Sequence, residues 1–185
     1  MTDEAQAIAR RRGKWSERDV PHLGWICVAE YDAKEDGGEM IICQMCESME
    51  VRFVQVMAND RYPDDLHCGC VCAGHMSGEL NAAENRDKKL RSRAQRRASF
   101  PKRKKWQKSA SGNPHIEVDG FHLIVARKRD GTFQVGAKRI REARHRWGKK
   151  RYASALEAQK GCFDALEYLE EEQAKAIEAA RMLPL

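Results

Sequence analysis

No stretch of this 185-residue chain approaches the roughly 20 consecutive apolar residues needed to cross a bilayer. Met1 to Lys14 holds no apolar run ahead of a small-residue cleavage site, so the sequence also argues against secretion. Aromatic residues are scarce at 7% and no HExxH metalloprotease signature occurs. The seven cysteines are odd in number and five of them crowd between Cys43 and Cys72, a poor match to a disulfide framework. A reducing, cytoplasmic setting and a bound metal are the expectation.

Acidic residues are nearly absent from two segments. Residues 86–108 hold twelve Lys/Arg against Asp87 alone, and residues 127–151 hold eleven against Asp130 and Glu142. Because the whole chain carries only +6, the remainder is acidic. Positive charge is therefore placed rather than spread, as in proteins that meet a polyanion.

The sequence reads as an α+β protein in four parts. Residues 1–20 form a basic helix or tail. Residues 21–80 form a zinc-binding module, in which the apolar run GWICVAEY and Met40 to Cys43 flank an Asp36-Gly37-Gly38 turn and pair as a hairpin. Val51 to Met57 follow as a strand with at least one buried face, Val51, Phe53, Gln55 and Met57 falling on one side and Arg52, Val54 and Val56 on the other. Residues 81–112 form a basic helical connector closed by the linker SASGNP, with helical composition from Ser77 to Ala98 and a stop at Pro101. Residues 113–185 form a small antiparallel sheet packed on one long helix. Its strands lie at His115 to Val118, Phe121 to Ala126, Phe133 to Val135 and near Ala143 to Trp147. Ser154 and Glu157 have capping-box spacing for the helix, which reaches toward Arg181 with a stripe of Leu156, Cys162, Phe163, Leu166 and Leu169.

Cys43-x-x-Cys46 places two thiolates one tight turn apart, half of a tetrahedral zinc site. The second half lies in HCGCVCAGH, immediately before a helix whose N-terminal dipole favours thiolates. A knuckle, a hairpin and ligands at a helix start make a treble-clef-like layout. Three pairings are open: Cys70 with Cys72, Cys72 with His75, and Cys68 with Cys72. The first is preferred, giving Cys43, Cys46, Cys70 and Cys72 around a structural Zn2+. Cys27 and Cys162, on a strand and a helix stripe, read as small buried apolar groups.

The run GWICV, the Cys43-Gln-Met-Cys46 pair, VRFVQVM, GCVCAGHM and the basic segment ending in RKKWQKSASGN together resemble a group of uncharacterised bacterial zinc-binding proteins, over residues 14–113. The resemblance implies that a GC-x-CA motif supplies the second ligand pair. It also implies histidines on the strand after the knuckle, where this chain has Gln55 and Asn59.

The basic segments supply candidate nucleic-acid contacts: Arg91, Arg93, Arg96, Arg97, Lys102, Arg103, Lys104, Lys105 and Trp106 from the connector, and Arg127, Arg129, Arg139, Arg141, Arg144 and Arg146 from the sheet module. Along residues 86–108 the cations wrap the helix and only Asp87 is at hand to pair with them. The strand order and the closing YASALEAQKGCFDAL pattern are similar to the three-strand-plus-helix DNA-binding domains of plant ethylene-response factors and phage integrases. That likeness implies a sheet facing DNA and an acidic helix facing away. The leading expectation is a non-enzymatic nucleic-acid-binding protein, with DNA favoured. A protein-protein adaptor using the C-terminal helix, with Ala155 to Leu169 as a dimer helix, is second. A zinc-finger nuclease using His67 or His75 is third.

Overall fold

The computed structural model describes residues 12–182, so the helix expected over the first residues lies, up to position 11, outside them. The chain is α+β, with three α-helices and antiparallel sheets among the described residues. It divides into two compact units after Gln95. No helix is long and apolar enough to cross a membrane.

The first unit contains β1 (Ile26–Asp32), β2 (Ile41–Ile42), β3 (Glu50–Val51), β4 (Phe53–Ala58), β5 (Leu66–Cys68) and α1 (Cys70–Ser77), and α2 (Leu80–Ser99) starts in it. β4 is the central strand of the sheet β1-β4-β5. Residues 53–57 are all buried, so both faces of β4 are covered. Its polar residue Gln55 survives burial because its amide donates to the Ala83 carbonyl at 2.8 Å and its oxygen accepts from Arg86 Nε at 2.9 Å. The apolar length of β4 also makes it the partner that β1 takes. β1 pairs with β4, in the register Ile26↔Ala58 to Asp32↔Phe53, and the short β2 pairs with β3, so the expected β1–β2 hairpin does not form. The strand expected to start at Val51 breaks at Arg52, whose guanidinium pairs with Asp32 at 2.9 Å.

The helix read over Ser77 to Ala98 starts at Leu80, and a separate helix, α1, ends at Ser77 where that reading begins. Gly78, at φ +76°, ends α1. A Cβ on Gly74 would lie 2.9 Å from the Leu80 Cα, so only glycine lets α2 start this close to α1.

The second unit is a meander of β6 (Gln107–Lys108), β7 (Pro114–Val118), β8 (Phe121–Arg127), β9 (Phe133–Arg139) and β10 (Arg146–Trp147), in the order β10-β9-β8-β7-β6, with α3 (Ala155–Arg181) packed on one face. Residues 109–114, read as a linker, are the turn between β6 and β7, closed by Ser109 N–H to the Asn113 carbonyl at 2.9 Å. Gly, Ser and Pro serve a tight turn as readily as a linker. Phe100 and Trp106 belong to the second unit's apolar core and its margin, so the boundary falls earlier than composition suggested.

Ser154 caps α3 by accepting from the Glu157 N–H at 3.2 Å. The buried stripe runs through Ala158, Cys162, Phe163, Leu166 and Leu169 against Ile116, Leu123, Val125 and Val135. Leu156 is exposed instead, because two residues before Ala158 is the far side of a helix. Since this stripe is spent on the unit's own core, residues 155–169 do not present it to a second chain. Arg97, buried, forks onto Asp164 of α3, with Nε and Nη2 each 2.8 Å from a carboxylate oxygen. Asp164→Ala leaves that guanidinium uncompensated, and chemical denaturation should show a loss of about 3 kcal/mol, whereas Glu171→Ala, an exposed helix pair, should cost less than about 0.5 kcal/mol.

Candidate metal centre and nucleic-acid interface

Residues 43–46 turn tightly between β2 and β3. The Cys43 N–H donates to the Met49 carbonyl and the Glu47 N–H to the Cys43 carbonyl, both at 2.8 Å. Gln44 then docks this knuckle on β5: its N–H donates to the His67 carbonyl at 2.9 Å and its side-chain oxygen accepts from the His67 N–H at 2.7 Å. Gly13 lies against the other side, where a Cβ would stand 2.8 Å from the Cys46 carbonyl carbon.

Docking brings sulfurs from two chain segments together. Cys43, Cys46 and Cys72 are all buried, and their Sγ atoms lie within 4.8 Å of one another, close enough to bind a metal ion. Cys72 reaches the group from the first turn of α1. Cys68, buried at the end of β5 with its sulfur 3.7 Å from that of Met76, stands outside this group of three but near enough to Cys43 for each thiol to shift the other's ionisation. The electrostatics centre on Cys43, whose pKa falls because the Cys46, Cys68 and Cys72 thiols donate to it. Cys68 and Cys72 are pushed up, chiefly by that same bond to Cys43 and by burial. Trp15 Nε1 is buried without a hydrogen bond, yet its N–H favours the ionised form of Cys72. An indole donor waiting on a thiolate fits a site whose sulfurs are deprotonated by a metal.

Cys70 is not part of this group. Residues 70 and 72 are two apart on one helix and point about 200° apart. With Cys72 turned inward, Cys70 faces Asp87 and Arg91 beside an open apolar groove lined by Phe53 and Met49. Helical geometry over 70–77 was the signal that separates the two. His67 Nδ1 is 2.8 Å from the Tyr31 hydroxyl. Cys162 is buried in the second unit as read, and Cys27 is half-buried on β1 with its thiol on the Ala29 carbonyl.

The fifteen candidate nucleic-acid residues separate into two sets. Arg91 pairs with Asp87, Arg93 with Glu35, Arg96 with Glu167, Arg97 with Asp164 and Arg146 with Glu172. Except for Asp87, these acids lie far away in sequence, which is why the helix appeared to lack partners. Trp106 is half-buried, its Nε1 donating to the Phe100 carbonyl at 3.0 Å, and Arg103 stacks over the Phe100 ring. Lys102, Lys104, Lys105, Arg127, Arg129, Arg139, Arg141 and Arg144 form the second set. All are exposed, and their side chains make no ion pair among the described residues.

Cys68→Ser and Cys72→Ser should each abolish stoichiometric metal retention, measured by elemental analysis of the purified protein, while Cys70→Ser should retain it in full. Comparison with protein-family models, with curated proteins and with solved structures finds no match for this chain.

Proposed function

We propose that this protein binds nucleic acid, DNA in the first instance, through its second unit, and that a structural zinc ion held by Cys43, Cys46, Cys68 and Cys72 in a treble-clef arrangement fixes its first unit. The observation that carries the nucleic-acid reading is that eight of the candidate cations are exposed and make no ion pair among the described residues, and that these eight all lie in the second unit. They lie between β9 and β10, at the β8–β9 turn and in the segment before β6. An unpaired surface guanidinium or ammonium costs little alone, but eight on one small unit repel one another, and a polyphosphate relieves that repulsion while releasing its own counterions. The antiparallel sheet leaves one face free of α3, the arrangement used by sheet-reading DNA-binding domains.

Zinc suits the donor set. Four soft thiolates favour zinc over hard cations, and sulfurs at Zn–S bonds of about 2.3 Å stand about 3.8 Å apart, within the 4.8 Å span of the Cys43, Cys46 and Cys72 sulfurs. When bound, the ion supplies a cross-link between the knuckle and the start of α1. Four protein ligands close the coordination sphere, which makes the site structural. The residues around it position the sulfurs: Gln44 by clamping β5, Gly13 by close approach and Trp15 by its N–H.

Fluorescence anisotropy with a DNA duplex and a single-stranded RNA of equal length tests the reading. With six or more phosphates neutralised, affinity for the preferred polymer should fall by about a thousandfold between 50 and 200 mM salt. The double variants Lys104→Glu/Lys105→Glu and Arg141→Glu/Arg144→Glu should weaken binding by about tenfold or more each, whereas Arg93→Gln, already paired with Glu35, should not. Binding that is absent at low salt, or flat across this range, rejects the proposal.

A further inference from the structure

Three of the six histidines gather on the sheet face opposite α3 in the second unit. Strand alternation puts them there. Ile116, Val118, Leu123 and Val125 face the core, so His115, Glu117, His122 and Ile124 face outward, with Glu117 directly opposite His122 and His115 opposite Ile124. His145, just before β10, leans over the same patch. Its Nε2 is 2.8 Å from His122 Nδ1, although the two residues are 23 positions apart. His115 stacks on the His122 ring at 5.3 Å and 24°, and its Nδ1 is buried with no hydrogen-bond partner. Trp147 closes one side, its ring 5.9 Å from that of His145 and lying on Gly136, where a Cβ would come within 2.8 Å of the indole.

We infer that His122 and His145, with Glu117 facing His122 and His115 behind it, form a second metal site for a divalent transition ion that prefers imidazole, of the Zn2+ or Ni2+ class. Two ring nitrogens, one from β8 and one from the segment leading into β10, brought to point at each other are the core of such a site. At M–N bonds of about 2.1 Å they need to stand about 3 to 3.5 Å apart, so the ion replaces the present hydrogen bond with only a small opening of the pair. Burial lowers the pKa of both, and the neighbouring imidazole and Lys138 lower each further, which favours the neutral ring. Lys138 is the nearby cation that opposes a metal, and its ammonium is turned onto the Glu142 carbonyl at 2.8 Å. Glu117 supplies negative charge on the opposite side, where it favours positive charge at His122. Two protein imidazoles leave further coordination positions for water or an anionic ligand, unlike the closed thiolate group. This inference does not depend on nucleic-acid binding.

The full chain, free of any affinity tag and carrying zinc at its cysteines, would be titrated with Ni2+ by calorimetry, with imidazole nitrogen resonances followed by NMR. One further equivalent should bind, broadening His122, His145 and His115 while His22, His67 and His75 stay sharp. His122→Gln and His145→Gln should each weaken that event by about tenfold or more with thermal unfolding unchanged. Absence of a further equivalent, nickel that displaces zinc while these imidazoles stay sharp, or undiminished binding in both variants would overturn the site.

Discussion

The first unit depends on sulfur atoms being forced together. A thiol is a weak donor and a weak acceptor, so buried thiols crowding one another gain little unless they lose their protons to a common cation. Much of the surrounding architecture serves this meeting: β5 pairs with β4, Gln44 fastens the knuckle to β5, and Gly13 allows the chain to approach Cys46. The rest of the core is built from Trp15, Trp25, Met45, Met57 and Met76 rather than from layers of branched aliphatics. Methionine fills irregular gaps but specifies geometry poorly, so a unit with such a core gains its definition from a fixed point elsewhere.

In the second unit the ordering constraint is ionic. Arg97 is buried and planar, and its fork meets a carboxylate one α3 turn from Glu167, which takes Arg96. These pairs join the end of α2 to the middle of α3 within one unit, next to Phe100 and Phe163, whose rings meet at 5.7 Å. A paired guanidinium in that place sets which face of α3 turns inward, since any other rotation leaves charge buried without a partner.

Periodicity and capping were legible in the sequence where they are local. Strands β7 to β10, the Ser154 cap and the long final helix all follow from short-range pattern, and so does the CxxC knuckle, whereas β6 lies inside the segment read as a helical connector. Strand partners were not legible, because β1 chooses between β2 and β4 by burial that only the assembled sheet defines. Cys70 stands outside the group of three sulfurs for a related reason: Cys70 and Cys72 look equivalent in a line of text and diverge once 70–77 is helical. Likewise a run of cations looked unpaired because its acids, Glu35, Asp164 and Glu167, arrive through tertiary structure. The histidine patch left no short-range trace at all, since His115, His122 and His145 meet only through cross-strand register.

Net charge is a poor guide to where a polyanion would bind such a chain. The +6 total includes many cations already neutralised in place, and an ion pair presents a dipole whose field decays faster than that of a single charge. What a phosphate chain would sense is the unpaired set, which begins at Lys102 and ends at Arg144 among the candidates. Arg91, Arg93 and Arg97, although part of the densest basic run, would each have to release a carboxylate before gripping a phosphate. For the buried Arg97 that exchange would cost more than a surface phosphate returns, so the basic helix works as part of the scaffold while the loops and the segment before β6 carry the free charge.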